Sequence, residues 1–232
     1  MRGKTSNGEW VSPFDPLKIS HAGSGGGDYT EANAWQYSWH AMHDIDGLIA
    51  LFGGRDRFVK KLDTLFQQDP KVYGPGSTVD VSGLIGQYVQ GNEPSHHITY
   101  LYTYAGQPWK TQEKVAQVKT TLFDNTPNGL SGNDDCGQMS AWYIFSSLGF
   151  YPVNPADGKY VFGTPTFKKA TINPGTKQFV VKVRNSSSTN IYIQKITFNG
   201  IPYYKNYIDY QEIMKGGILE FTMGRHPLEH LN

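Results

Sequence analysis

The 232-residue chain reads as an α+β protein: a helical region over residues 1–154, then an antiparallel β region over residues 155–232. Three observations predict this. Apolar residues recur at threes and fours before Val153, and fall into short β-rich blocks after Pro155. Pro94 and Pro108 stand where helices begin, and Gly53-Gly54 where one ends. Asn199-Gly200, between Ile196-Thr197-Phe198 and Ile201, carries the two-residue hairpin signal.

Taken in order, the first thirty residues read as a long loop, with Pro13, Pro16 and the run Gly23-Ser24-Gly25-Gly26-Gly27. That run is either a flexible connection or, less specifically, a phosphate cradle. Thr30 can cap a helix carrying Trp35, Trp39, Met42, Ile45, Leu48, Ile49 and Phe52. A second helix spans Arg55 to Gln68, with Phe58, Val59, Leu62, Leu65 and Phe66 on one face. Pro94 opens a helix to about Ala105, and Pro108 the next, with Val115, Val118 and Leu122 inside. Asp135 can cap a last helix bearing Met139, Trp142, Tyr143, Phe145 and Leu148. Candidate strands are 160–162, 170–172, 179–183, 191–198 and 218–222, with a turn at Pro174-Gly175. Helices joined by loops that bear carboxylates suggest an α/α bundle or barrel whose active face is one set of loops. Five helices do not close a barrel, so the chain is expected to be the C-terminal part of a larger protein.

Composition narrows the classes. A formal net charge of +1 offers no basic surface for nucleic acid and no acidic tail. No apolar run approaches the roughly 20 residues that span a bilayer. Met1-Arg2-Gly3-Lys4 is followed by no apolar stretch, so no signal peptide is expected in this chain. The single cysteine, Cys136, excludes an internal disulfide and is expected to be a buried, inert thiol. Aromatic residues make up 14% of the chain, and rings with polar edges suit sugar faces as well as cores.

The chemistry gathers in three segments: Tyr29-Thr30-Glu31-Ala32-Asn33-Ala34-Trp35-Gln36-Tyr37, Gly91-Asn92-Glu93-Pro94-Ser95-His96-His97, and Gly132-Asn133-Asp134-Asp135-Cys136-Gly137-Gln138-Met139-Ser140. Each sets a carboxylate in a loop ahead of a helical pattern, beside carboxamides, histidines or indoles. That company fits a sugar site, a metal site or both. Glycoside hydrolysis needs one carboxyl group to protonate the leaving oxygen and another to activate water or attack. Glu31 is a candidate acid, and equally a first-turn helix residue; as an acid it needs desolvation, with Tyr29 and Trp35 nearby in sequence. The adjacent pair Asp134-Asp135 can position water or bind donors, while Asp135 also reads as a plain N-cap. Asn92 and Glu93 offer hard oxygen ligands of the kind calcium takes. His96-His97, or His40 and His43 with Asp44 and Asp46, are further metal possibilities against a core or surface reading.

Four blocks make the likeness specific: Thr-Glu-Ala-Asn-Ala-Trp-Gln-Tyr at 30–37, Gly-Asn-Glu-Pro-Ser-His-His at 91–97, Tyr-Ala-Gly-Gln-Pro-Trp-Lys-Thr-Gln at 104–112, and Gly-Asn-Asp-Asp-Cys-Gly-Gln-Met-Ser-Ala-Trp-Tyr at 132–143. Together with Phe150-Tyr151-Pro152-Val153 they resemble glycoside hydrolase family 92, calcium-dependent inverting exo-α-mannosidases that are mostly bacterial. The resemblance implies Glu31 as general acid and Asp135, helped by Asp134 or Asn133, as the base that activates water. It implies Trp35, His96 and His97 as sugar-binding side chains, and Asn92 and Glu93 in the segment that supplies Ca2+ ligands. It also implies a partial (α/α)6 barrel, with an N-terminal β-sandwich and the remaining barrel helices missing from this chain. Apolar faces that those helices cover are then expected at the surface. The implied substrate is a mannose-containing glycan, α-1,2-linked, and the implied location is the periplasm or cell exterior. The rival reading is a non-catalytic glycan-binding module, motivated by Tyr203, Tyr204, Tyr207 and Tyr210.

Overall fold

Short helices, each broken for a local reason, build the first part of the chain. The computed structural model describes residues 2–21, 27–74 and 81–229. Gly23 to Gly26, and with them all but Gly27 of the phosphate-cradle reading, lie outside the described residues. Helix α1 covers only Ala34–Tyr37, because the Asn33 side chain accepts hydrogen bonds from the amides of Trp35 and Gln36. Asn33, not Thr30, is therefore the cap. Helix α2, Ile45–Leu51, starts anew where the Asp44 carboxylate accepts from the Gly47 amide at 2.8 Å. The single helix expected from Thr30 to Phe52 is thus two, with turns between them. His40 and His43 fall in those turns and are exposed, not paired on one helix face.

Helix α3, Arg55–Gln67, matches its expected span and buries Phe58, Val59, Leu62, Leu65 and Phe66. A small hairpin of β1, Leu84–Ile85, and β2, Tyr88–Val89, follows. The helix expected from Pro94 to Ala105 is two 3₁₀ turns, Glu93–Ser95 and Ile98–Tyr100, then α4, Leu101–Tyr104. One reason lies at His96, whose carbonyl accepts the Trp142 indole N–H at 2.9 Å. Helix α5 is Pro108–Thr121 and α6 is Gln138–Leu148.

The remaining chain forms two sheets. Strands β3, Phe150–Tyr151, β4, Lys159–Phe162, and β9, Tyr207–Asp209, make an antiparallel sheet of three. The larger sheet contains β5, Lys169–Ile172, β6, Phe179–Arg184, β7, Tyr192–Phe198, β8, Ile201–Pro202, and β10, Gly217–Gly224. Its order is β5-β6-β10-β7-β8. Asn199 and Gly200 turn β7 into β8 with φ of 52° and 80°, the positive pair a type I′ turn requires. The sheet is not wholly antiparallel as expected: β10 runs parallel to β6 and antiparallel to β7. Helix α7, Tyr210–Lys215, returns the chain to this slot, and Leu219, Phe221 and Met223 alternate inward along it.

Two apolar clusters meet at residues 145–162. Trp39, Phe58, Leu62, Tyr88, Tyr100 and Trp142 centre the helical one; Phe150, Phe179, Leu219 and Phe221 centre the sheet one. Adjacent residues split between them: Phe150 and Phe162 join the sheet cluster, Tyr151 and Val161 the helical one. The period-two alternation of β3 and β4 thereby ties the two together. Each fully buried aromatic contributes about 1.5–3 kcal/mol, so the strap is strong. Among the described residues, no helix is long and apolar enough to cross a membrane.

Candidate active site

Glu31, Glu93, His96, His97, Gln138 and Tyr151 line one open cleft of about 550 Å³. Each arrives by a different local device. Glu31 lies ahead of α1 in a loop turned by Ala32, which has φ of 60° and is buried. It is not a first-turn helix residue. The Tyr37 hydroxyl donates to Glu31 Oε1 at 3.2 Å, and the Tyr29 ring stacks on Tyr37 at 5.4 Å. Burial and the Glu31 carboxylate push Tyr37 up to about 12. Tyr37 therefore stays a proton donor to Glu31, a contact the sequence reading did not anticipate.

Trp35, expected beside Glu31, is elsewhere. Its ring lines a separate apolar groove with Phe14, Leu48, Leu51 and Phe52, and Lys61 Nζ lies 3.3 Å from the ring centroid. Leu51 in that groove is 87% exposed, in keeping with the apolar face expected at the surface.

The Asp134-Asp135 pair divides its labour. Asp134 Oδ1 accepts from the Ser140 amide at 2.9 Å, and its carbonyl from the Gly137 and Met139 amides. Asp134 thus holds the entry to α6, a task expected of Asp135. Asp135 and Cys136 take left-handed backbone conformations, with φ of 45° and 56°. This turn exposes Cys136, correcting the expectation of a buried thiol. It also brings the Asp135 carboxyl within hydrogen-bonding reach of Glu93. Partial desolvation of Glu93 comes first, then Asp135 and the charge of Glu31; together they raise Glu93 above the usual carboxylate range. Glu31 and Asp135, from two other segments, therefore both act on Glu93, and Glu31 and Glu93 line the cleft. Among the described residues, no Lys or Arg forms an ion pair with any of them.

The two histidines are fixed and neutral. His96 Nε2 donates to the Gln90 carbonyl at 2.8 Å, while Nδ1 accepts from Gln138 Nε2 at 3.2 Å. Gln138 also approaches the Tyr151 hydroxyl at 3.3 Å. His97 Nε2 donates to the Trp39 carbonyl at 2.8 Å. Burial pushes both rings down to about 4. With each Nε2 committed to a carbonyl, neither offers that nitrogen to zinc. Gln138 and Tyr151 are site residues the sequence reading left without a role, although both stand in the blocks it singled out.

Carboxyl groups gathered at an open, ring-lined cleft suit the hydrolysis of a glycosidic bond, and the class they point to is a glycoside hydrolase catalytic domain. The model of the Glycosyl hydrolase family 92 catalytic domain matches residues 1–225, and the chain belongs to this family. An uncharacterized secreted glycosidase of Arthroderma benhamiae is 32% identical over 94% of this chain. A family GH92 α-mannosidase of Bacteroides thetaiotaomicron, solved with mannoimidazole, superimposes with a TM-score of 0.92 at 40% identity over 99% of the chain. A GH92 inverting mannosidase of Bacteroides thetaiotaomicron VPI-5482 gives 0.83 at 37% identity, again over 99%. The chain spans 27% of the first of these relatives, 30% of the second and 31% of the third.

Proposed function

We propose that the chain is the C-terminal catalytic portion of an inverting, calcium-dependent exo-α-mannosidase acting on α-1,2-linked mannose of glycans. The observation that carries this reading is that Glu31 and Glu93 line one cleft, with Asp135 acting on Glu93, in a chain of this family. Glu31 is the general acid: its proton goes to the glycosidic oxygen as the bond to the anomeric carbon breaks. The Tyr37 hydroxyl orients it. Asp135 is the base, taking a proton from water that attacks the opposite face of the sugar, so that configuration inverts. Asp134 keeps Asp135 in place through the start of α6. His96, with both ring nitrogens held by Gln90 and Gln138, gives the sugar a fixed neutral ring to pack on and sets the Gln138 amide for its hydroxyls.

Calcium fits the donors. Asn92 and Glu93 supply hard oxygens, and among the described residues no cationic side chain pairs with the three carboxylates. Among the described residues Gln36 Oε1 is a buried acceptor without a protein partner, a cost of about 1–3 kcal/mol unless something meets it; the unpartnered amide nitrogens of Asn92 and Gln36 are donors and would meet oxygen, not a cation. Among the described residues no three His, Cys, Asp or Glu side chains form a ready metal cage. Asn92, Glu93 and backbone oxygens would share the ion with water, sugar hydroxyls or the rest of a longer protein. When bound, calcium would hold vicinal hydroxyls and stabilise negative charge. The chain would work outside the cell, as the relative named a secreted glycosidase suggests.

The test is mannose release from α-1,2-mannobiose, with a chelator arm, by this chain and by the longer protein that contains it. Chelator-sensitive release by the longer protein is expected, and its loss on Glu31→Gln should be largest for leaving groups that need protonation. Full activity of that variant on such substrates refutes the acid role.

A further inference from the structure

A second cleft, of about 560 Å³, lies where the helical region meets the large sheet and shares no lining residue with the first. Its walls are the C-terminal half of α5, Tyr143 of α6, the β4–β5 connection at 164–166 and the β6–β7 loop at 186–191. Tyr143 follows Gln138 by five residues on the same helix. At 100° per residue the two side chains diverge by about 140° around its axis, so the clefts use different faces of α6.

The charges in this cleft are already engaged. Lys119, 8% exposed, donates to the carbonyls of Ser146 and Thr164 and to Thr166 Oγ1 at 2.7 Å. The Glu113 carboxylate accepts the Tyr192 hydroxyl at 2.6 Å. Apart from the second oxygen of that carboxylate, what remains for a ligand is neutral. Among the described residues, the hydroxyls of Tyr143, Ser186 and Ser188 have no protein partner. Beside them the Tyr143 ring gives a flat face, held against Phe123 at 5.0 Å, with Ala116, Pro165 and Ile191 as further apolar wall.

The loop that carries the serines is rigid. Ile193 N donates to Gln112 Oε1 at 3.0 Å, Thr164 Oγ1 to the Ile191 carbonyl at 2.8 Å, and Asn190 Nδ2 to the Asn185 carbonyl at 2.8 Å. Hydroxyls set in advance against a ring lower the ordering cost of binding. One flat apolar face with neutral donors and acceptors at its edge matches a pyranose ring.

We propose that this cleft is a second carbohydrate-binding site, taking one neutral hexopyranose unit stacked on Tyr143 with its hydroxyls read by Ser186 and Ser188. Such a site would hold a glycan chain on the enzyme while the first cleft acts on another part of it.

The test is an amide NMR titration of the chain with methyl α-D-mannopyranoside, with acyclic sorbitol as control. Shifts are expected at 116–120, 164, 166 and 186–191. Tyr143→Ala should weaken that binding about tenfold, or ~1.4 kcal/mol. Ser188→Trp, on an exposed loop, fills the cleft without touching the core and should abolish the shifts. Shifts confined to the Glu31 cleft, no shifts at all, equal shifts with sorbitol, or shifts that survive Ser188→Trp would each overturn the proposal. Mannose release reads the other cleft, so its failure would leave this result standing.

Discussion

Acidification should destabilise this protein through His97. The ring is buried, neutral and pushed down to about 4, with desolvation outweighing the hydrogen bond to Trp39. In the unfolded chain a histidine titrates near 6.5. Between these values the unfolded state binds more protons, so His97 supports the fold fully above 6.5 and that support is lost as pH falls through 4. The full shift corresponds to about 3 kcal/mol, roughly three quarters of which is gone by about pH 4.5. His96 acts in the same direction. Glu93, raised in the folded state, acts in the opposite one, since its strain is relieved as it takes a proton. Asp15, Asp124 and Glu220, held below their ordinary values, matter only at lower pH. Comparing variant with parent isolates the term. Urea unfolding followed by tryptophan fluorescence at about pH 7 and 4.5 should show a steep loss in the parent and a smaller one in His97→Gln, which keeps a donor for Trp39. An unchanged slope, or an NMR titration midpoint for His97 at 6 or above, would refute the reasoning.

Three further outcomes follow from single contacts. Asp134→Ala should cost about 1 kcal/mol in urea unfolding, as loss of a helix-entry acceptor does. Ala32→Gly should stabilise by up to about 1 kcal/mol in the same assay, because φ of 60° strains an alanine and not a glycine. Burial pushes Lys119 down to about 7, so the unfolded chain binds more protons above that value and stability should rise with pH. From about pH 7 to 9 the gain should be roughly 2 kcal/mol, and Lys119→Met should flatten it.

How far the sequence is legible depends on whether the deciding contact is local. The five apolar positions of α3 suffice to place it, and Asn199-Gly200 suffices for its hairpin. The break between α1 and α2 was written in Asn33 and Asp44, both good caps, but the apolar repeat from Trp35 to Phe52 masks them. The parallel pairing of β10 with β6 has no local signature, since strands distant in sequence choose it. The carboxylates of the site stand out as motif blocks because each is bracketed by Gly, Asn or Pro. Trp35 misleads for the opposite reason: α1 carries its ring away from Glu31 toward Leu48 and Phe52. Tyr37, on the same short helix, is the ring that reaches the acid.

The turn ahead of α6 shows why neighbouring aspartates can take separate tasks. Two consecutive non-glycine residues in the left-handed region cost roughly 1–2 kcal/mol each, and both lie at Asp135-Cys136. A relaxed turn would point Asp135 along the helix entry that Asp134 already serves. The strained one sends it to Glu93 instead. If the strain exists for chemistry, stability and activity must separate at this position. Asp135→Gly should raise the unfolding free energy by about 1 kcal/mol while removing the proposed base. In the longer protein, where turnover can be read, loss of that base should lower kcat by about 10²–10⁴-fold. Asp135→Asn, which tolerates the same backbone, should match that loss without the gain in stability. A glycine variant that is both less stable and fully active would show that Asp135 is a structural residue and that the base is elsewhere.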